Sequence, residues 1–337
     1  TRGRLLAGTL ALTGVLALSV LMGVSWGTGS LSLVDLLPGG TPLSEQARAV
    51  FLDVRLPRVL AAALLGGALS VAGVGFQALL RNPLADPYVL GVSGGASIGG
   101  VLALLFGFGS AASLLGEVAV PAFAFLGALG ALLLIEWVAT VGGKLTVYTI
   151  LLTGAIFNAF ASALIYFIQT IASLEQLHAI VFYLMGSVPM LGYRGVAFLA
   201  TTSVLATVAL VSMARDYNAL TIGEEGAAQL GVDVERIKRR TFVLGSLLTG
   251  LAVSVAGLIG FVGLVVPHLL RLLLGPDHRL LLPAAFLGGG SFLVLADLIA
   301  RVAVAPGELP VGVVTALVGG PFFLYLLRRR GSRYEFS

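Results

Sequence analysis

The sequence predicts an all-α, polytopic membrane protein of about ten transmembrane helices, and three observations carry that expectation. Hydrophobic residues fill 58% of the 337 positions and charged residues only 11%, against roughly 25% charged in a soluble chain whose surface must meet water. Apolar runs of about 20 residues, the length that crosses a hydrocarbon core, recur from end to end with no polar linker between them. The basic residues sit mainly in short segments between those runs, which is a membrane-topology pattern. The net charge of +4 therefore points to no nucleic-acid partner, and a single transmembrane domain over 1–337 is the simplest organisation.

Spans are expected near 5–25, 58–80, 89–107, 118–138, 147–171, 194–213, 281–303 and 310–327. The first is read as a retained helix, because no small-x-small cleavage site followed by a soluble domain is evident. The stretch 241–274 is too long for one span and is interrupted by Gly257, Gly260, Gly263 and Pro267. Two shorter helices meeting near Gly260 bring the total to ten. Ten spans place both termini on one side, and both are basic (Arg2 and Arg4; Arg328, Arg329, Arg330 and Arg333). With the termini in the cytoplasm, 15 of the 20 Lys/Arg lie inside, as the positive-inside rule requires. Arg48, Arg55, Arg58, Arg194 and Arg301 fall outside and need another explanation. Gly66, Gly67, Gly91, Gly95, Gly99 and Gly250 are expected to let helix backbones approach closely.

The most polar segment runs from Arg215 to Arg240. Gly223 and Gly231 bracket a short helix, Glu224–Leu230, with acids in its first turn as the helix dipole prefers, and Asp233 suits the N-cap of the next. Short helices held between basic anchors suit insertion into a partner's groove, and an ordinary solvated loop is the alternative.

Several motifs follow one another along the chain. They are Arg55-Leu-Pro-Arg58, Gln77-Ala-Leu-Leu-Arg-Asn-Pro-Leu-Ala-Asp-Pro87 and Gly91-Val-Ser-Gly-Gly-Ala96. The polar segment follows, then Gly260-Phe-Val-Gly-Leu-Val-Val-Pro-His-Leu-Leu-Arg271, Gly275-Pro-Asp-His-Arg279 and Glu308-Leu-Pro-Val-Gly-Val-Val-Thr315. In this order they resemble the FecCD-type permeases of ABC importers, which handle vitamin B12, haem and iron-siderophores.

The resemblance implies the homodimeric type II importer fold, with ten helices per subunit and the path along the dimer axis. It implies that Gly223, Glu224, Glu225, Ala227, Ala228, Leu230, Gly231 and Val232 couple to two ATPase subunits. It also implies that Arg55, Arg58 and Arg301 dock a periplasmic or lipid-anchored substrate-binding protein. Asn82 and Leu84 would lie at a cytoplasmic gate, with Val147 and Tyr148 opening the fifth span as a second constriction. The expected location is the bacterial inner membrane, with lipid around the dimer. For Arg301 the residues offer another reading, since it follows Asp297 by four positions, a spacing that pairs on one helix face.

No G-x-x-x-x-G-K-[ST] phosphate loop occurs; Gly142-Gly-Lys-Leu145 lacks the loop length and the hydroxyl. ATP and Mg therefore belong to a partner ATPase, and no cofactor or metal is expected on this chain. Cysteine is absent, which excludes disulfides and thiolate sites. Two rival classes set residue requirements of their own. Gly91-Val-Ser-Gly94 matches a G-x-S-G of intramembrane serine proteases, which need a histidine base, and only His178, His268 and His278 exist. A proton-coupled transporter needs acids within the membrane, and Glu136 and Asp297 are the candidates. His178, with Tyr183 and Met185 nearby, is a candidate for transient ligand contact. The small and apolar residues of about 155–186 would shape a path without naming its cargo.

Overall fold

The computed structural model describes residues 2–26, 45–108, 116–304 and 306–330; Arg333, one of the terminal bases, lies outside them. In chain order the helices are α1 (Arg2–Ser25), α2 (Glu45–Ala49), α3 (Leu56–Leu79), α4 (Val92–Leu105), α5 (Gly116–Ala139), α6 (Val147–Ile171) and α7 (Leu174–Met185). Then come α8 (Tyr193–Ser212), α9 (Ala214–Leu220), α10 (Glu224–Gln229), α11 (Val234–Ala256), α12 (Val262–Leu274), α13 (His278–Val302) and α14 (Val311–Arg330). A π-helical turn, Val50–Arg55, joins α2 to α3, and a two-residue hairpin pairs Thr140–Val141 with Lys144–Leu145.

Ten of these helices match the ten expected spans, but not all at full length. Among the described residues, six helical stretches are long and apolar enough to cross a membrane, those of α1, α3, α5, α6, α8 and α13. With 14 and 13 residues, α4 and α12 reach only about 20 Å at about 1.5 Å per residue, short of a hydrocarbon core of about 30 Å. Ahead of them lie, respectively, a short 3₁₀ turn, Pro87–Leu90, and the irregular link 257–261. The break expected at Gly260 is this link, and α7 is an additional short helix after α6.

Irregular backbone at membrane depth is tolerated only where protein satisfies its polar groups. The Ile259 amide donates to Tyr88 Oη at 2.9 Å, Ser187 N to the Ala256 carbonyl at 2.8 Å and Gly312 N to the Gly186 carbonyl at 3.1 Å. Buried Gln77 donates through Nε2 to the Ala85 and Gly263 carbonyls at 3.4 and 3.3 Å, and accepts from Arg271 Nη2 at 2.9 Å.

The central post is α3, 83% of whose most apolar stretch is buried, against 22% for α6 and α8. Close contact around it depends on missing side chains. A methyl group on Gly66 would run into the Gly289 carbonyl of α13, and one on Gly289 into the Gly66 carbonyl. Gly95 of α4 and Gly127 of α5 oppose each other in the same way. Without a hydrophobic force between helices in lipid, this proximity is a main source of packing energy. Gly66→Val should therefore lower the unfolding free energy by about 3 kcal/mol, read as an earlier thermal transition in detergent; an unshifted transition would contradict the packing.

Candidate functional site

At one end of the bundle the chain solves a capping problem. The last four carbonyls of a helix have no partner within it, and those of α1 sit where α3 and α13 meet it. Arg301 Nη2 donates to the Gly23 carbonyl at 2.9 Å and Nη1 to Trp26 at 3.3 Å. Arg55 Nη1 donates to the Val24 and Ser25 carbonyls at 3.3 and 3.4 Å. All four orphan acceptors are thus met by guanidinium, which also suits the negative end of the helix dipole.

Asp297, itself 0% exposed, holds the arginines in place. Its Oδ1 accepts from Arg58 Nε and Nη2 at 3.1 and 3.0 Å, and its Oδ2 lies 2.9 Å from Arg301 Nε. Arg58 Nη1 reaches Glu308 Oε2 at 2.8 Å, and the Glu308 side chain, 42% exposed, forms the rim. Arg55, Arg58 and Arg301, the expected docking residues, do not face outward in the subunit. All three are buried and turned inward, because a guanidinium removed from water needs a counter-charge or carbonyls nearby. The four-residue spacing of Asp297 and Arg301 was the legible signal; Glu308 and the α1 carbonyls were not. Arg48 and Arg194 do stand exposed.

The opposite end carries the polar segment. Gly223, at φ +107°, turns the chain between α9 and α10 in a conformation that a side chain would strain. Asp233 caps α11 by accepting from Arg236 N at 3.1 Å. Lys238, buried, joins Glu224 at 3.1 Å to Glu235 at 2.7 Å, and the other Glu235 oxygen accepts from Leu145 N at 2.8 Å. Asn218 donates to Asp277 at 2.8 Å and accepts from His278 N at 2.9 Å, while Tyr217 bonds Thr241 at 2.7 Å between hydroxyls.

The segment is therefore a clamped platform rather than a free loop. Of its expected contact residues, Ala227 is buried against the bundle, Gly223, Glu224 and Val232 are half-buried, and Glu225, Ala228, Leu230 and Gly231 face outward. Leu230 is 67% exposed and Ile222, which the sequence reading passed over, 65%. Both aliphatics stand outward from the clamped platform.

Electrostatics tie this platform to pH. Partial burial alone would raise the Glu235 carboxyl, but hydrogen bonds from Lys238 and the Leu145 amide hold it below its usual range. Arg279 first, and Asn218 after it, hold the Asp277 carboxyl far below the carboxylate range. Glu136, one of the two candidate proton carriers, is instead ion-paired with Arg239 at 3.0 Å.

Between the two ends, Tyr88 is a junction. Its carbonyl accepts from Asn158 Nδ2 at 2.9 Å and from Ser93 Oγ at 3.2 Å. The Ser93 hydroxyl is thus spent on backbone at the start of α4, and nothing here presents it as a nucleophile. Tyr88, Ser93, Asn158, Ser162, Tyr166 and Leu258 line a cavity of about 340 Å³. Asn82 is exposed and folds its side chain onto its own turn, Oδ1 accepting from Leu84 N at 2.9 Å. Leu84 and Val147 are half-buried, and Tyr148 points away from its own subunit at 73% exposure. His178 is exposed on α7 with its ring 4.5 Å from that of Phe182.

Comparison with known proteins decides the identity of this arrangement. Residues 15–329 match the FecCD transport family. The chain belongs to that family. It is 40% identical to the cobalamin import permease BtuC of Halobacterium salinarum, over 92% of this chain and 81% of that protein. It is 41% identical to the hemin transport permease HmuU of Yersinia pestis, over 90% of each. A solved metal-chelate type ABC transporter, in an inward-facing conformation, superposes with a TM-score of 0.83 at 32% identity, covering 96% of this chain and 99% of the other. The chain is a multi-pass ABC importer permease, and the protease and proton-coupled readings fall.

Two outcomes follow from the geometry. Asp297→Ala, which strands two buried guanidiniums, should cost about 3–5 kcal/mol, whereas Glu308→Ala at the rim should cost under about 1 kcal/mol; thermal unfolding in detergent compares them. Carboxyls held low in the folded state stabilise it above their unfolded pKa, near 4, and that stability is lost as pH falls through the folded value. Amide hydrogen exchange across 214–240 should therefore stay slow from pH 7 to about 5 and quicken below about 4, after correction for intrinsic rates.

Proposed function

We propose that this chain forms, as a homodimer, the permease of an importer that moves a metal chelate into the cytoplasm across a bacterial inner membrane. A substrate-binding protein delivers the cargo at the arginine end, which is the outer face, and two ATPase subunits act at the polar platform inside. Both termini are then cytoplasmic. The observation that carries this reading is the clamped α9–α10 platform with Leu230 and Ile222 turned outward, in a chain without a phosphate loop of its own. Hydrolysis needs ATP and Mg on the partner, and the platform must be stiff to pass its motion to the bundle.

The relatives are named for cobalamin and hemin, and the cargo reading is a chelate of like size and chemistry: haem, cobalamin or a ferric siderophore. The weakly buried α6, with Tyr148, Ile156, Phe160 and Phe167 exposed, is the face turned to the second copy and the path. Asn82, Leu84, Val147 and Tyr148 then form the inner constriction together with their counterparts. His178 stands on α7 near the outer mouth, where contact with a passing metal would be brief. The buried arginines shape the docking surface from beneath, and Glu308 is its rim.

Reconstitution with the cognate ATPase and binding protein tests this. One of the three chelates should stimulate ATP hydrolysis and accumulate in proteoliposomes; failure of all three to do either would sink the cargo class. Leu230→Arg should reduce stimulated hydrolysis at least tenfold, the equivalent of about 1.4 kcal/mol at the contact, while the permease melts as the wild type does. Undiminished ATPase pull-down and uptake in that variant would remove the platform from its role.

A further inference from the structure

Away from the path, the bundle carries an apolar groove of about 1260 Å³ that the importer reading does not use. Its walls are Val118 and Phe125 of α5 and Phe198 and Leu205 of α8, and its floor is Leu248 and Leu251 of α11. The floor is buried, while Val118, Phe198 and Leu205 are each more than 60% exposed, so the groove opens sideways from the bundle. It exceeds the roughly 300–1,000 Å³ of ordinary small-molecule pockets.

Polar groups within the groove are turned back on their own helices. Thr202 Oγ1 donates to the Phe198 carbonyl at 2.8 Å and Ser254 Oγ to the Leu251 carbonyl at 2.8 Å. The exception is Arg194, at the end of the groove where α8 begins. It is exposed and has no ion-pair partner among the described residues. From Arg194 to Leu205 the helix rises about 17 Å at about 1.5 Å per residue, close to half of the roughly 30 Å hydrocarbon core.

We propose that this groove holds an anionic glycerophospholipid of the outer leaflet, its phosphate on Arg194 and its acyl chains lying along α5, α8 and α11. The assignment to the outer leaflet rests on the orientation proposed above. A guanidinium pairs well with phosphate through two parallel hydrogen bonds, and its apolar stem can lie along the helix while the charge stays at the interface. Bulk acyl chains are as apolar as the groove, so burial alone discriminates little in a bilayer. Selectivity must come from the head group and from the shape of the channel. A chelate cargo fits less well, because the Thr202 and Ser254 hydroxyls in the lining are already spent on their own helices. A second copy covering the groove would bury that arginine unpaired, at a cost of several kcal/mol.

The test is native mass spectrometry of the detergent-purified permease titrated with phosphatidylglycerol or phosphatidylcholine of matched chains. The wild type should retain phosphatidylglycerol about tenfold more tightly than phosphatidylcholine. Arg194→Gln should abolish that preference without shifting the melting temperature, and Ala206→Phe, which fills the groove, should weaken retention of both lipids. Phosphatidylglycerol retention unchanged in both variants would overturn the proposal. So would efficient disulfide dimers of Phe198→Cys in this otherwise cysteine-free chain, which would show that a second copy covers the groove. Neither readout uses transport, so the lipid site can fail while the importer reading stands, and the reverse.

Discussion

A bilayer offers no water to an unpaired carbonyl, and the fold is organised around that shortage. The clearest instance is the carboxyl end of α1, where four acceptors in succession are met by Arg55 and Arg301. Arg301 needs an anion in turn, and Asp297 supplies it while binding Arg58 as well. Three helices distant in sequence are thereby fixed to one another at a single depth. The same constraint explains the middle of the bundle, where the short α4 and α12 leave irregular backbone that Tyr88 and Gln77 satisfy.

Much of this was legible in the residues. Charge scarcity and span length gave the membrane class, the glycine pairs marked the tight crossings, and Asp233 announced the start of α11. The outer arginines were visible as exceptions to topology, but their direction was not. A charge in a short segment reads the same whether it faces solvent or a carbonyl two helices away. Helix length at α4 was hidden for a related reason, whereas the break ahead of α12 was expected at Gly260. Hydropathy counts apolar residues without asking whether they are helical, so the apolar approach to α4 reads as part of a span.

The two ends of the molecule are built on different principles. At the arginine end the charges are sunk beneath the surface, and only Glu308 shows at the rim of the cluster. At the platform they are spread through Lys238, Glu224 and Glu235 and the Asn218–Asp277 pair, partly open to water. The first arrangement is little screened by salt, because the pairs of Asp297 with Arg58 and Arg301 are buried. The second is screened by ions and yields to acid.

The capture of α1 has a temporal side. Gly23 and the arginine that serves it are 278 residues apart. At about 5–20 residues per second of synthesis, the end of α1 waits some 15–55 s for α13 to emerge. The first helix is therefore closed by nearly the last, and a chain halted before α13 leaves an open carbonyl end at the membrane surface. The cap on α1 is thus complete only once α13 has been made.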